Sequence, residues 1–133
     1  MNSADIVRAF WAAMRSNDFD RAARTWLAPD YIGLWPQTGE VIRGPGKYAE
    51  INRAFPGGGT WEFEEFSLVD AGLRVVTDMR ISNNPLEVSI HAITFHEIRG
   101  EQILRQTEYW PDSYPVPTWR SGILEVDRKV SQW

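Results

Sequence analysis

The chain has 133 residues, 43% of them hydrophobic and 24% charged, with a net charge of −4, seven tryptophans and no cysteine. A chain of this length can bury a core without staples, so we expect one domain over residues 1–133. The absence of cysteine excludes disulfides, thiolate metal sites and cysteine nucleophiles, and the lack of any Lys/Arg block argues against a nucleic-acid partner.

The first elements are helical. Ser3 can cap a first helix whose apolar face is Ile6, Val7, Phe10, Trp11 and Met14. Asn17-Asp18 interrupts it. Asp18 can cap a second helix running to Ala28, with Phe19, Ala22, Ala23, Trp26 and Leu27 on its apolar face and Pro29 forcing its end. Residues 31–35 read as a short strand and residues 40–43 as a brief return after a turn through Pro36 and Gly39. Pro45 sits near the first turn of a third helix, residues 47–55, with Tyr48, Ile51 and Phe55 on one face. Pro56-Gly57-Gly58-Gly59 then breaks the chain. These glycines lead into a strand, not a helix, so they are a linker and no phosphate-binding motif.

From Thr60 the period becomes two. Trp61 and Phe63 alternate with acids, and after Glu65 the parity slips, which predicts a β-bulge. Turns at Asp70-Ala71-Gly72, Asn83-Asn84-Pro85 and Arg99-Gly100-Glu101 separate runs over residues 73–82, 86–98 and 102–110, a four-strand antiparallel meander. Helices followed by a meander predict an α+β domain: a cone-shaped, curved antiparallel sheet with about three helices across its open side. Such a cone is a natural small-molecule site. Neither a signal-peptide layout nor a run of about 18 apolar residues occurs, so no membrane contact and a cytoplasmic location are expected.

Gly100, Ile103 and Thr107-Glu108-Tyr109-Trp110-Pro111-Asp112 resemble the last strand of SnoaL-like polyketide cyclases and limonene epoxide hydrolases. Trp26-Leu27-Ala28-Pro29-Asp30-Tyr31 resembles the helix-to-strand junction of the same nuclear-transport-factor-2-like superfamily. The element order extends the resemblance over roughly residues 3–112. It implies a small cofactor-free enzyme, with no metal, acting by acid–base chemistry on an apolar small molecule as an isomerase, cyclase, dehydratase or hydrolase. The other reading is a non-catalytic ligand-binding or dimerisation domain, since fold alone does not choose.

The resemblance places Glu108 where the epoxide hydrolases hold the acid that activates water. Asp78 and Arg80 fall where those enzymes have an arginine and an acid two residues apart, here in reversed order. The aspartate that ketosteroid isomerases carry before a proline on the first strand is replaced by Trp35 before Pro36. Asp78 and Arg80, two apart, share a strand face, as do Gln102, Leu104, Gln106, Glu108 and Trp110. If both faces point inward, Asp78, Arg80 and Glu108 form a catalytic acid–base–acid cluster, with Arg80 keeping Glu108 ionised. If not, the charges are a cross-strand ladder on an outer or dimer-facing surface. Trp35, Tyr31, Val88, Ile90, Gln106 and Trp110 are the expected substrate contacts, with Trp35 the leading pocket aromatic.

His91 and His96 are five apart on one predicted strand, so they face opposite ways and cannot share a metal. The second sheet face, with Ile81, Ile93, Phe95 and Tyr109, needs cover and predicts a homodimer. Residues 111–133 form a proline-punctuated tail near the pocket mouth or the dimer interface.

Overall fold

The computed structural model describes residues 1–131; Gln132 and Trp133, the end of the expected tail, lie outside the described residues. The helices are α1 (Ser3–Arg15), α2 (Phe19–Trp26) and α3 (Pro45–Arg53). The strands are β1 (Leu27–Trp35), β2 (Glu40–Arg43), β3 (Glu62–Asp70), β4 (Arg74–Asn83), β5 (Val88–Arg99) and β6 (Gln102–Tyr109). They form one six-stranded sheet in the order β2-β1-β6-β5-β4-β3. The expected meander is β3 to β6. The sheet is mixed, not wholly antiparallel, because β1 lies parallel to β6 and joins the first hairpin to the last strand.

The cap of α1 is Asn2 instead of Ser3. Its side chain accepts from the Asp5 backbone N–H at 2.8 Å while Asp5 accepts from the Asn2 N–H, a reciprocal capping box. Asp18 caps α2 as expected, through the Arg21 N–H. That helix stops at Trp26, earlier than expected, because Leu27 already pairs with Ile103 in the sheet. Three strand pairings shift register, one of them β1–β6 between Leu27 and Ile32. Between Glu65 and Ser67 the β3–β4 pairing skips Phe66, which is the bulge that the parity slip predicts. The shift in β5–β6 leaves Leu104 without a partner on β5 and turns Ile103, fully buried, toward the core.

The core lies between the helices and the inner sheet face. Ile6, Val7, Phe10, Trp11 and Met14 of α1 are all buried there, against Val75 and Met79 of β4 and Ile103 of β6. A stripe at this spacing is what an amphipathic helix presents to a sheet. A buried polar chain runs through it. Tyr31 donates its hydroxyl to Gln106 Oε1 at 2.7 Å, and Gln106 Nε2 donates to His96 Nδ1 at 3.1 Å. His96 Nε2 then carries the proton and donates to Thr77 Oγ1 at 2.8 Å, which also accepts from the Trp11 indole at 3.2 Å. Satisfied in this way, the polar groups fix a unique core arrangement. Gly33 is required beside it, since a Cβ there would lie 2.6 Å from the Tyr31 hydroxyl oxygen.

The glycine linker is also built in. Gly57, Gly58 and Gly59 all have positive φ, and a Cβ on Gly59 would meet the Asn83 amide at 2.8 Å. Asn83 donates to the Gly58 carbonyl at 3.1 Å, so the loop is docked on the end of β4.

Candidate functional site

A cavity of about 180 Å³ opens between α1, α3 and the inner face of the sheet. Each wall follows from a local feature of the sequence. Trp35 ends β1, on the same inward face as Tyr31 and Gly33. Tyr48, Ile51 and Asn52 are one turn apart on α3 and face inward together with Phe55 just beyond it. Trp61 is positioned by Asn17, which sits at φ 62° in the α1–α2 break. The Asn17 side chain accepts from the Trp61 N–H at 2.7 Å and donates to its carbonyl at 2.9 Å. Ile81 of β4, Ile90 of β5, and Glu108 and Trp110 at the end of β6 complete the sheet side.

Glu108 is the only ionisable acid or base lining this cavity among the described residues; the phenol of Tyr48 is the other titratable group. Its carboxyl is enclosed by protein yet borders the cavity, so the residue as a whole is half-buried. Thr94, directly opposite on β5, donates its hydroxyl to Glu108 Oε2 at 2.6 Å. Burial pushes the Glu108 carboxyl above the usual carboxylate range, and the Thr94 hydroxyl and the indoles of Trp110 and Trp35 pull it back in part. The Trp110 indole N–H is buried and short of full hydrogen-bond geometry, yet it lies close enough to Glu108 to favour the charged form. Trp35 and Trp110 pack together with ring centroids 4.4 Å apart. Burial, reinforced by the Glu108 charge, raises the Tyr31 and Tyr48 phenols well above their ordinary value, so both stay protonated.

The expected acid–base–acid cluster does not form. Strand partners share a face, and Glu108 pairs through Thr94 with Thr77, whereas Asp78 pairs with Ile93 and Tyr109. Asp78 and Arg80 therefore lie on the outer face. Asp78 Oδ1 is 2.7 Å from His91 Nδ1, and Arg80 NH1 is 3.9 Å from Glu64. This is the cross-strand ladder that the sequence left as the other alternative. The two histidines do face opposite ways, His91 outward and His96 into the core.

Of the expected substrate contacts, Trp35, Ile90 and Trp110 line the cavity. Tyr31 and Gln106 lie beneath it in the buried polar chain, and Val88 packs against the core. Ile81 also lines the cavity and does not belong to the outer face, because it pairs with Ile90. Trp11, Tyr48 and Trp61, aromatics that the sequence offers as pocket lining, also border the cavity, whereas Thr94 and Asn52 were not legible as support and wall residues. Of these two, only Asn52 had a nearby signal, the α3 face of Tyr48, Ile51 and Phe55. Among the described residues, no three His, Asp or Glu side chains come close enough to hold a metal, and no helix is long and apolar enough to cross a membrane.

Known proteins with this architecture include a candidate ketosteroid isomerase from Kribbella flavida. It superposes with a TM-score of 0.80 at 22% identity, over 97% of this chain and 93% of that one. A nuclear-transport-factor-2-like protein of unknown function from Burkholderia xenovorans gives 0.71 at 27% identity, over 93% and 94%. An epoxide hydrolase of the limonene type from M. tuberculosis gives 0.65 at 23%, over 80% of each chain. No curated protein matches the sequence. The model of the SnoaL-like domain matches residues 7–106, which begin inside α1 and take in α2, α3 and the sheet as far as Gln106. With three quarters of its length so matched and the helix-covered curved sheet in place, this chain belongs to the SnoaL-like domain family.

Proposed function

We propose that the protein is a small enzyme that binds an apolar molecule in the cavity and moves a proton with Glu108, using no cofactor. One observation carries this reading: a single carboxyl, its pKa raised by burial, stands at the wall of a largely apolar and aromatic cavity. A carboxyl so tuned can take a proton from water or from carbon next to a carbonyl and return it to the product. Tyr48, protonated and bordering the same space, can donate to an oxygen on which charge develops. Isomerisation, cyclisation, dehydration and hydrolysis all fit these two roles. The named relatives, an isomerase candidate and an epoxide hydrolase, support the same range. A homodimer in the cytoplasm, covered on its outer sheet face, belongs to this proposal.

A second reading, a ligand-binding domain without chemistry, is favoured by the placement of Asp78 and Arg80 outside the cavity, which leaves Glu108 without the expected ionic partners. Turnover on a panel of epoxides, enones and hydroxy ketones, measured for the parent and Glu108→Gln, separates them. The catalytic reading expects a loss of about 10²–10⁴-fold on any substrate found. Unchanged turnover by a folded Glu108→Gln protein would leave only the binding reading.

A further inference from the structure

The cavity wall has an unbalanced electrical character. Four indoles, Trp11, Trp35, Trp61 and Trp110, border it together with the Tyr48 phenol and one carboxyl, Glu108. No lysine, arginine or histidine is among its lining residues. Aromatic rings carry negative faces, and a carboxylate adds a full negative charge in a space that excludes most water. A neutral ligand would leave Glu108 favouring its protonated form, whereas a cationic ligand would supply the counter-charge that the ionised form lacks in this wall. A bare ammonium would need an acceptor for each of its N–H groups, and the wall offers only the Glu108 carboxyl, the Tyr48 hydroxyl and the Asn52 amide oxygen, set among rings that suit alkyl groups better.

An alkylated ammonium resolves both problems. Its charge is spread over methyl or methylene groups that pack against rings, as in aromatic cages for quaternary ammonium ions. The volume suits it, since an apolar cavity of about 150 Å³ is large enough to hold benzene and this one is about 180 Å³. We propose that the cavity takes a small molecule bearing a tertiary or quaternary ammonium, with its cationic head between the Glu108 carboxylate and the indoles. This rests on the reading that the cavity admits a small molecule, and it narrows the class of that molecule.

Choline and 3,3-dimethylbutan-1-ol have the same shape and differ in whether nitrogen or carbon bears the three methyl groups. Each is titrated into the full-length protein at pH 7.5, followed by tryptophan emission and calorimetry. Choline is expected to bind at least about tenfold more tightly than the alcohol, as desolvated cation–π contacts require. Glu108→Gln is expected to reduce that preference while the alcohol still binds; the ratio in the parent stands as a test even if the variant does not fold. Equal or tighter binding of the alcohol overturns the cationic class and leaves the small-molecule reading intact. Binding of neither overturns the inference, and the neutral substrate panel then decides the function separately.

Discussion

The Thr94 hydroxyl donates a 2.6 Å hydrogen bond to the Glu108 carboxylate from the directly opposite position on the neighbouring strand. Thr94 is fully buried, so this donor has no competing water. A donor to the charged form favours ionisation. Thr94→Val is therefore expected to raise the Glu108 pKa further and to cost about 1–2 kcal/mol of stability. Thr94→Ser should retain the pKa. Denaturant midpoints and a carboxyl titration of the three proteins check this, and an unchanged Glu108 pKa in the valine variant would count against it.

His96 gives the fold an acid limit. Burial lowers its pKa from 6.5 to about 3, so the folded state keeps it neutral while the unfolded chain binds a proton below 6.5. Its contribution is full above pH 6.5 and is lost as pH falls toward 3, at about 1 kcal/mol or slightly more per pH unit, hence about 2 kcal/mol by pH 5. Glu108, with a raised pKa, has the opposite sign: it favours the folded state at low pH and loses that contribution as pH rises through its folded value. Urea midpoints between pH 8 and pH 5 and the His96 ring resonances check the pair. A ring that titrates near 6.5 in the folded protein would contradict the buried, neutral assignment.

Trp35 should report ligand entry. It borders the cavity against Trp110, whereas Trp119 is 77% exposed on the tail. A ligand should change tryptophan emission, Trp35→Phe should remove a substantial share of the change, and Trp119→Phe should remove none. Other cavity indoles will keep part of the signal. Equal responses from both variants would make Trp35 ordinary core.

The outer sheet face predicts association. Ile93, Phe95 and Tyr109 lie on it, with Phe95 and Tyr109 ring centroids 6.2 Å apart, and Phe66 and Val69 are exposed beside them on β3. Light scattering at micromolar concentration should give about twice the 15.3 kDa chain mass. Ile93→Arg should shift it toward the single chain. A parent protein of 15.3 kDa would end the proposal.

The elements were readable because their signals are local. The apolar stripe of α1, the Asp18 cap and the Phe66 bulge each follow from spacing within a few residues. The facing of Asp78 and Arg80 was not. A period of two says that they share a face but not which one, and that depends on the β5 register. Val75, Thr77 and Met79, the alternate set, are the less polar group, and all three are fully buried. The Leu104 irregularity carried only a faint sign, the adjacent apolar pair Ile103-Leu104 where strict alternation would have placed one. Thr94 was invisible because a threonine in a strand looks like any β-former until its cross-strand partner is known.

A site-resolved titration of the Glu108 carboxyl by carbon-13 NMR tests most directly whether this group is chemically poised at the cavity wall. A midpoint above the ordinary 4.5 that moves when a ligand enters the cavity is expected. A midpoint at or below 4.5, unmoved by any ligand that changes tryptophan emission, would contradict it.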